Sequence, residues 1–269
     1  RAVINQMSEM FDALRSGKEF STKAISQTVD QLLDDVMRNS NVMVQLSDIR
    51  TADNAAYVHA MNVCMLSTLI GLNMGLNMIQ LKELSIGALL HDIGKLNAPE
   101  VQEGRMHHSW RGFETLKMKR EYSLLIAHVA FQHHESVDGT GLPRGITGDE
   151  IHTYAKIVAV ANAYDNMLSP IDSSPKLMPH EACEQLNAMS GTKLDHEVLV
   201  QFMKVVSIYP NGISVRLSNR KIGVVVGQHR GLPSRPVVRL LNKEDEDTVE
   251  AKEIDLAQHP TIFIEAVLS

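Results

Sequence analysis

The sequence predicts a mainly α chain, a helical bundle followed by a small C-terminal β-rich subdomain. Three observations predict it. Apolar residues recur at three- and four-residue steps up to about residue 206. After Tyr209-Pro210-Asn211-Gly212 that spacing gives way to apolar and polar residues in alternation. The composition, 44% hydrophobic and 22% charged over 269 residues, is that of a globular chain long enough for one large domain and a small one.

Ala24, Ile25, Val29, Leu32, Leu33 and Val36 form one apolar helix face, with Asp34 and Asp35 opposite. That face can be covered by its own domain or by a second copy in a homodimer. Further helices are expected over 54–72, 79–91, 109–118, 121–134, 149–168, 179–189 and 195–207, broken by Gly94, Pro99, Gly104 and the run 139–148. Beyond them, Ile213 to Leu217, Ile222 to Val226, Val237 to Leu240 and Thr261 to Val267 read as strands, in a sheet of three to five. The acidic cluster Glu244 to Asp247 reads as a solvated turn. The expected division is a helical region over 1–49, a domain over 50–206 and a β-rich region over 207–269.

A net charge of −6 argues against a partner that is a nucleic-acid polymer. Two distant cysteines, Cys64 and Cys183, exclude a disulfide framework and suit a reducing, cytoplasmic setting. No apolar run reaches the roughly 18 residues of a membrane span, and no signal peptide is evident. The chain starts at Arg1 rather than Met, so residues upstream are expected.

Six of the twelve histidines fall between His91 and His134. A lone histidine is more often a hydrogen-bonded core residue than a ligand, but the placing of these is harder to dismiss. His91-Asp92 ends an apolar helix and enters the turn Ile93-Gly94-Lys95. His133-His134 ends another and enters a glycine-rich loop. Ligands at helix ends can turn inward together, and imidazole with carboxylate suits iron, manganese or zinc. His107, next to a candidate ligand, should face away from it by ~100°. His128, His152, His180, His196, His229 and His259 show no partner pattern. No P-loop, dinucleotide fingerprint or serine nucleophile elbow is present.

His59, His91-Asp92, His108 and His133-His134-Glu135, followed by Asp138-Gly139-Thr140-Gly141-Leu142-Pro143, resemble the HD-GYP branch of the HD phosphohydrolase superfamily, which is associated with hydrolysis of cyclic di-GMP. His108 to Gly112 resembles the family's His-x-x-x-Gly helix start, and Ala159 to Asp165 its closing helix. The likeness covers residues 50 to 206, and the strands after Tyr209 resemble a tail that often follows the domain. It implies a helical HD-domain bundle, almost wholly of helices, around a centre of two or three metals. One divalent ion, iron or manganese, would take His59, His91, Asp92 and the position of Asn162. A second would take His108, His133 and His134, with Asp92 bridging. Hydroxide formed between the two would attack the phosphodiester in line. Lys95 would neutralise a phosphate oxygen or help the leaving group. Arg111, Arg144 and Asp165 are further candidates for substrate binding, Arg144 being equally readable as a plain loop arginine.

Three departures stand out. Asn162 replaces the family's aspartate ligand, so the first ion should bind more weakly. Ala55 replaces a glutamate used by three-metal members, so two ions at most are expected. Ile171 and Ser174 stand where the family carries dinucleotide-gripping basic residues, and Leu142 replaces the GYP tyrosine. The resemblance therefore implies a cyclic di-GMP phosphodiesterase, with a module that binds a ligand or signalling protein without turnover as the alternative. Hydrolysis of a different phosphate ester is a third reading.

Overall fold

A computed structural model describes residues 20–38, 55–96, 107–170, 174–241 and 252–268. Helix α1 (Thr22–Arg38) buries Ile25, Val29, Leu32 and Leu33, the apolar stripe expected from its spacing, in the chain's own main core. Helix α2 (Ala55–Asn73) carries apolar residues on every side and lies among α1 and three later helices of the bundle. Its length and mean hydropathy of 1.4 would allow it to cross a membrane, but burial in the bundle explains the same composition. It ends where Gly75 takes a φ of +79° and Leu76 N–H turns back to the Gly71 carbonyl at 3.0 Å.

Asn77 then caps α3 (Met78–Leu89), accepting from the Ile79 and Gln80 N–H groups, while Gln80 returns a bond to the Asn77 N–H. A 3-10 turn, Ile93–Lys95, follows. After it come α4 (His108–Lys117), α5 (Leu124–Gln132), α6 (Thr153–Leu168), α7 (Pro179–Ala188) and α8 (His196–Met203). Ser123, His152 and Asp195 cap α5, α6 and α8 through side-chain acceptors. The seven helices expected between residues 54 and 207 are all present. The differences lie at their ends, where caps and turns take the last residues out of helical geometry.

The C-terminal part is one antiparallel sheet in the order β4-β3-β2-β1-β5, formed by β1 (Ser214–Leu217), β2 (Ile222–Gly227), β3 (Val237–Leu240), β4 (Glu253–Asp255) and β5 (Ile264–Leu268). Val215, Leu217, Val225, Val238 and Leu240 alternate inward and meet Ile254 and Leu256 in a second apolar core. The expected turn at Glu244 to Asp247 and the substitution at Ile171 lie outside the described residues, as does the N-terminal region before residue 20.

Candidate metal centre

Two helix ends are built alike. At the end of α3, His91 Nδ1 donates to the Ala88 carbonyl at 2.7 Å. After α5, His133 Nδ1 donates to the Ala130 carbonyl at 2.9 Å. A ring whose Nδ1 carries the proton keeps the Nε2 lone pair, so both residues present a ligand nitrogen to the interior. On α2, His59 Nδ1 meets Asp165 Oδ2 of α6 at 2.5 Å, and Asn62 Nδ2 donates to the other carboxylate oxygen at 2.9 Å. His108 opens α4, whose cap is His107, with Nδ1 accepting from the Ser109 N–H.

The turn bearing Asp92 is pressed against the start of α4. A β-carbon on Gly94 would lie 2.0 Å from the His108 carbonyl oxygen and 2.7 Å from the Gly112 nitrogen, so only glycine fits. Arg111 Nε, on the same helix, donates to the Gly94 carbonyl at 3.1 Å and ties the turn to α4.

The result is one carboxylate between two sets of imidazoles. Asp92 Oδ1 lies 3.3 Å from His108 Nε2 and 3.4 Å from His133 Nε2, and these two nitrogens are 3.4 Å apart. Asp92 Oδ2 lies 3.5 Å from His91 Nε2 and 3.8 Å from His59 Nε2. With His134 added to the first set, the facing atoms of each group fall within 4.8 Å of one another. Donors ~2.1 Å from a common ion stand roughly 3.0–3.4 Å apart at octahedral or tetrahedral angles, so the first set has ligand spacing.

The electrostatics agree. Burial pushes His91 and His133 down to about 3 despite the nearby Asp92, and His134 well below its ordinary value. All three are thus neutral, the form that binds metal. Burial alone would raise Asp92, but His91 beside it and the close approach of His108 and His133 keep its carboxyl well below the usual range. Nε2 of His91 and Nε2 of His134 are buried with no hydrogen-bond partner. Buried lone pairs converging on an ionised carboxylate, with no donor to satisfy them, fit a divalent cation.

Residues 41–198 match the family model described as HD domain, more than half of the chain. The chain belongs to the HD domain family. Residues 214–269 match a KOW domain associated with the HD domain. A cyclic di-GMP phosphodiesterase of Pseudomonas aeruginosa is 32% identical over 232 residues, covering 82% of this chain and 56% of that protein. One from Thermotoga maritima is 30% identical over 211 residues, covering 73% and 54%. The chain therefore spans about half the length of these curated relatives. An HDG"Y"P protein of Bdellovibrio bacteriovorus shares the fold at a TM-score of 0.59, with 20% identity over 75% of this chain and 68% of that one.

In this HD-domain chain the other candidate residues fall in different places. Lys95 Nζ sits 2.8 Å from Asp92 Oδ2 and is partly exposed at the edge of the cluster. Asn162 is buried on α6, where its Oδ1 accepts from Asn166 Nδ2 at 2.9 Å. Asp165, expected on the substrate side, is 1% exposed and holds His59 instead. Arg144 lies with its guanidinium 4.5 Å above the Phe131 ring and its Nε 3.8 Å from Glu135. Leu142, at the GYP tyrosine position, is exposed on the loop.

Sequence reasoning overlooked Asn62 and did not foresee where His107 and Glu135 lie. Asn62 lies one turn after His59, and that i, i+3 spacing was its only signal. His107, expected to face away from its neighbour, is buried with its ring centre 4.3 Å from that of His108. Glu135 is buried too, and no local pattern announces its partners, which lie nine to eleven residues onward.

Proposed function

We propose that this chain is a metal-dependent phosphodiesterase of the HD-GYP type, opening cyclic di-GMP to the linear dinucleotide or to GMP. The observation that supports it most is the two-sided Asp92, with His59 and His91 facing one oxygen and His108 and His133 the other. Two divalent ions, iron or manganese, would be held by His59, His91, Asp92 and Asn162, and by Asp92, His108, His133 and His134. When bound they supply Lewis acidity and a water of lowered pKa to an in-line displacement at phosphorus.

The chain's own groups divide the remaining work. Asp92 offsets positive charge on both sides at once. The neutral histidines keep their lone pairs at neutral pH because burial denies them protons. Asp165 and Asn62 fix the ring of His59. Lys95, within reach of solvent, can leave Asp92 for a phosphate oxygen and offset the charge that grows as the phosphorus–oxygen bond breaks. Cys64 and Cys183, both buried and unpaired with thiols pushed up to about 12, support a reducing, cytoplasmic setting.

Asn162 favours a second reading, ligand binding without turnover, because the place of a carboxylate is taken by a neutral amide engaged along its own helix. Incubating the chain and its Asn162→Asp variant with cyclic di-GMP and manganese(II), with products separated by chromatography, distinguishes the two. Linear dinucleotide or GMP from the parent supports the phosphodiesterase. Cyclic di-GMP retained intact by both, with metal bound, supports the binding module.

A further inference from the structure

His134 differs from the other helix-end ligands of the cluster. His91 and His133 each have Nδ1 tied to a carbonyl three residues back, and His59 has Asp165. His134 has no such bond to its ring among the described residues, and its buried Nε2 has no partner. Neighbouring imidazoles stand around it, with the His133 and His108 ring centres at 4.2 and 4.9 Å. Its direction must therefore come from its backbone.

That backbone is gripped by the following loop. The His134 carbonyl accepts from the Leu142 N–H at 2.9 Å. The next residue, Glu135, turns its carboxylate inward and accepts from three successive N–H groups, those of Arg144 and Gly145 at 3.0 Å and of Ile146 at 3.2 Å. The loop packs so closely here that a β-carbon on Gly141 would lie 2.2 Å from the Ser136 nitrogen. A buried carboxylate that accepts three backbone hydrogen bonds is a strong local anchor, because each bond is charge-assisted.

We propose that Glu135 is a positioning residue for His134. By clamping residues 144–146 it holds the loop that fixes the His134 backbone, and so it does for this ligand what Ala88, Ala130 and Asp165 do for the others. The inference rests on the metal-centre reading above and goes beyond it, since Glu135 need touch neither ion nor substrate. Arg144 then has a place in the same device: its N–H is clamped and its side chain covers Phe131, one turn before the ligands.

The test is manganese(II) binding by the full chain, followed by equilibrium dialysis with elemental analysis. Glu135→Gln keeps the shape but replaces one acceptor oxygen with an amide that cannot accept. Asn77→Ala, which removes the α3 cap remote from the loop, is the comparison for a general loss of stability. Glu135→Gln is expected to weaken binding by about tenfold to a hundredfold, as outer partners of metal ligands do, while Asn77→Ala binds as the parent does. Glu135→Asp, which keeps the charge and shortens the arm, carries the same test if Glu135→Gln does not fold. Unchanged affinity in the Glu135 variants, or an equal loss in Asn77→Ala, overturns the proposal. A parent that binds no manganese overturns the metal-centre reading itself, and the proposal with it.

Discussion

Asp165 Oδ2 stands 2.5 Å from Nδ1 of His59, a residue 106 positions earlier on another helix. The bond joins α2 to α6 at the floor of the cluster and decides which nitrogen of His59 faces Asp92. A carboxylate behind a histidine fixes the ring and raises its basicity as a ligand.

Replacing that carboxylate should therefore be felt at the metal and not only in folding. Asp165→Asn keeps the size and removes the charge. Manganese(II) affinity, read by equilibrium dialysis, is expected to fall by about tenfold or more.

Asn162 gives the opposite prediction. With a carboxylate there, Asn162→Asp should tighten the weaker of the two proposed binding steps, because the neutral oxygen of the proposed ligand becomes a charged one. Dialysis over a range of manganese(II) concentrations should show the second equivalent bound at lower free metal than in the parent. An unchanged isotherm would place residue 162 outside the ligand set.

Gly94→Ala tests the close packing of the Asp92 turn. The added carbon would meet backbone of α4, which cannot rotate away as a side chain can. A loss of about 3 kcal/mol or more is expected in denaturant unfolding, at the upper end for overpacked sites.

The buried neutral histidines predict a pH dependence in the metal-free chain. Unfolded histidine takes up a proton near 6.5, whereas His91 and His133 do so only near 3 when folded. Between those values the unfolded state binds more protons, so stability is present at neutral pH and is lost as pH falls. At pH 5 the loss is about 2 kcal/mol for each residue. Asp92, held well below the usual carboxylate range, stays ionised at both pH 7 and pH 5 and adds little to the difference. Urea unfolding of chelator-treated protein at pH 7 and pH 5 reads the difference, and equal midpoints would contradict the burial argument.

Much of this arrangement was legible in the sequence, for physical reasons. Helix faces repeat at 3.6 residues, so α1 announced its buried stripe of Ile25, Val29, Leu32 and Leu33. The His and Asp cluster was visible because helix-end ligands sit in short patterns, His91-Asp92 and His133-His134. Contacts between distant segments were not visible: nothing near Asp165 names His59 as its partner, and nothing near Glu135 marks its carboxylate as buried under Arg144, Gly145 and Ile146. Strand β4 was missed because three residues, Glu253 to Asp255, are too few to show alternation, and pairing with β3 makes them a strand.

The central claim is that the cluster around Asp92 hydrolyses a cyclic dinucleotide with bound metal. The most direct measurement is turnover of cyclic di-GMP by protein purified without oxygen and supplied with iron(II) or manganese(II), beside a His91→Ala, Asp92→Ala double variant. Linear dinucleotide or GMP from the parent and none from the variant is the predicted result. No product from a parent shown to contain metal, or equal product from both, would contradict it.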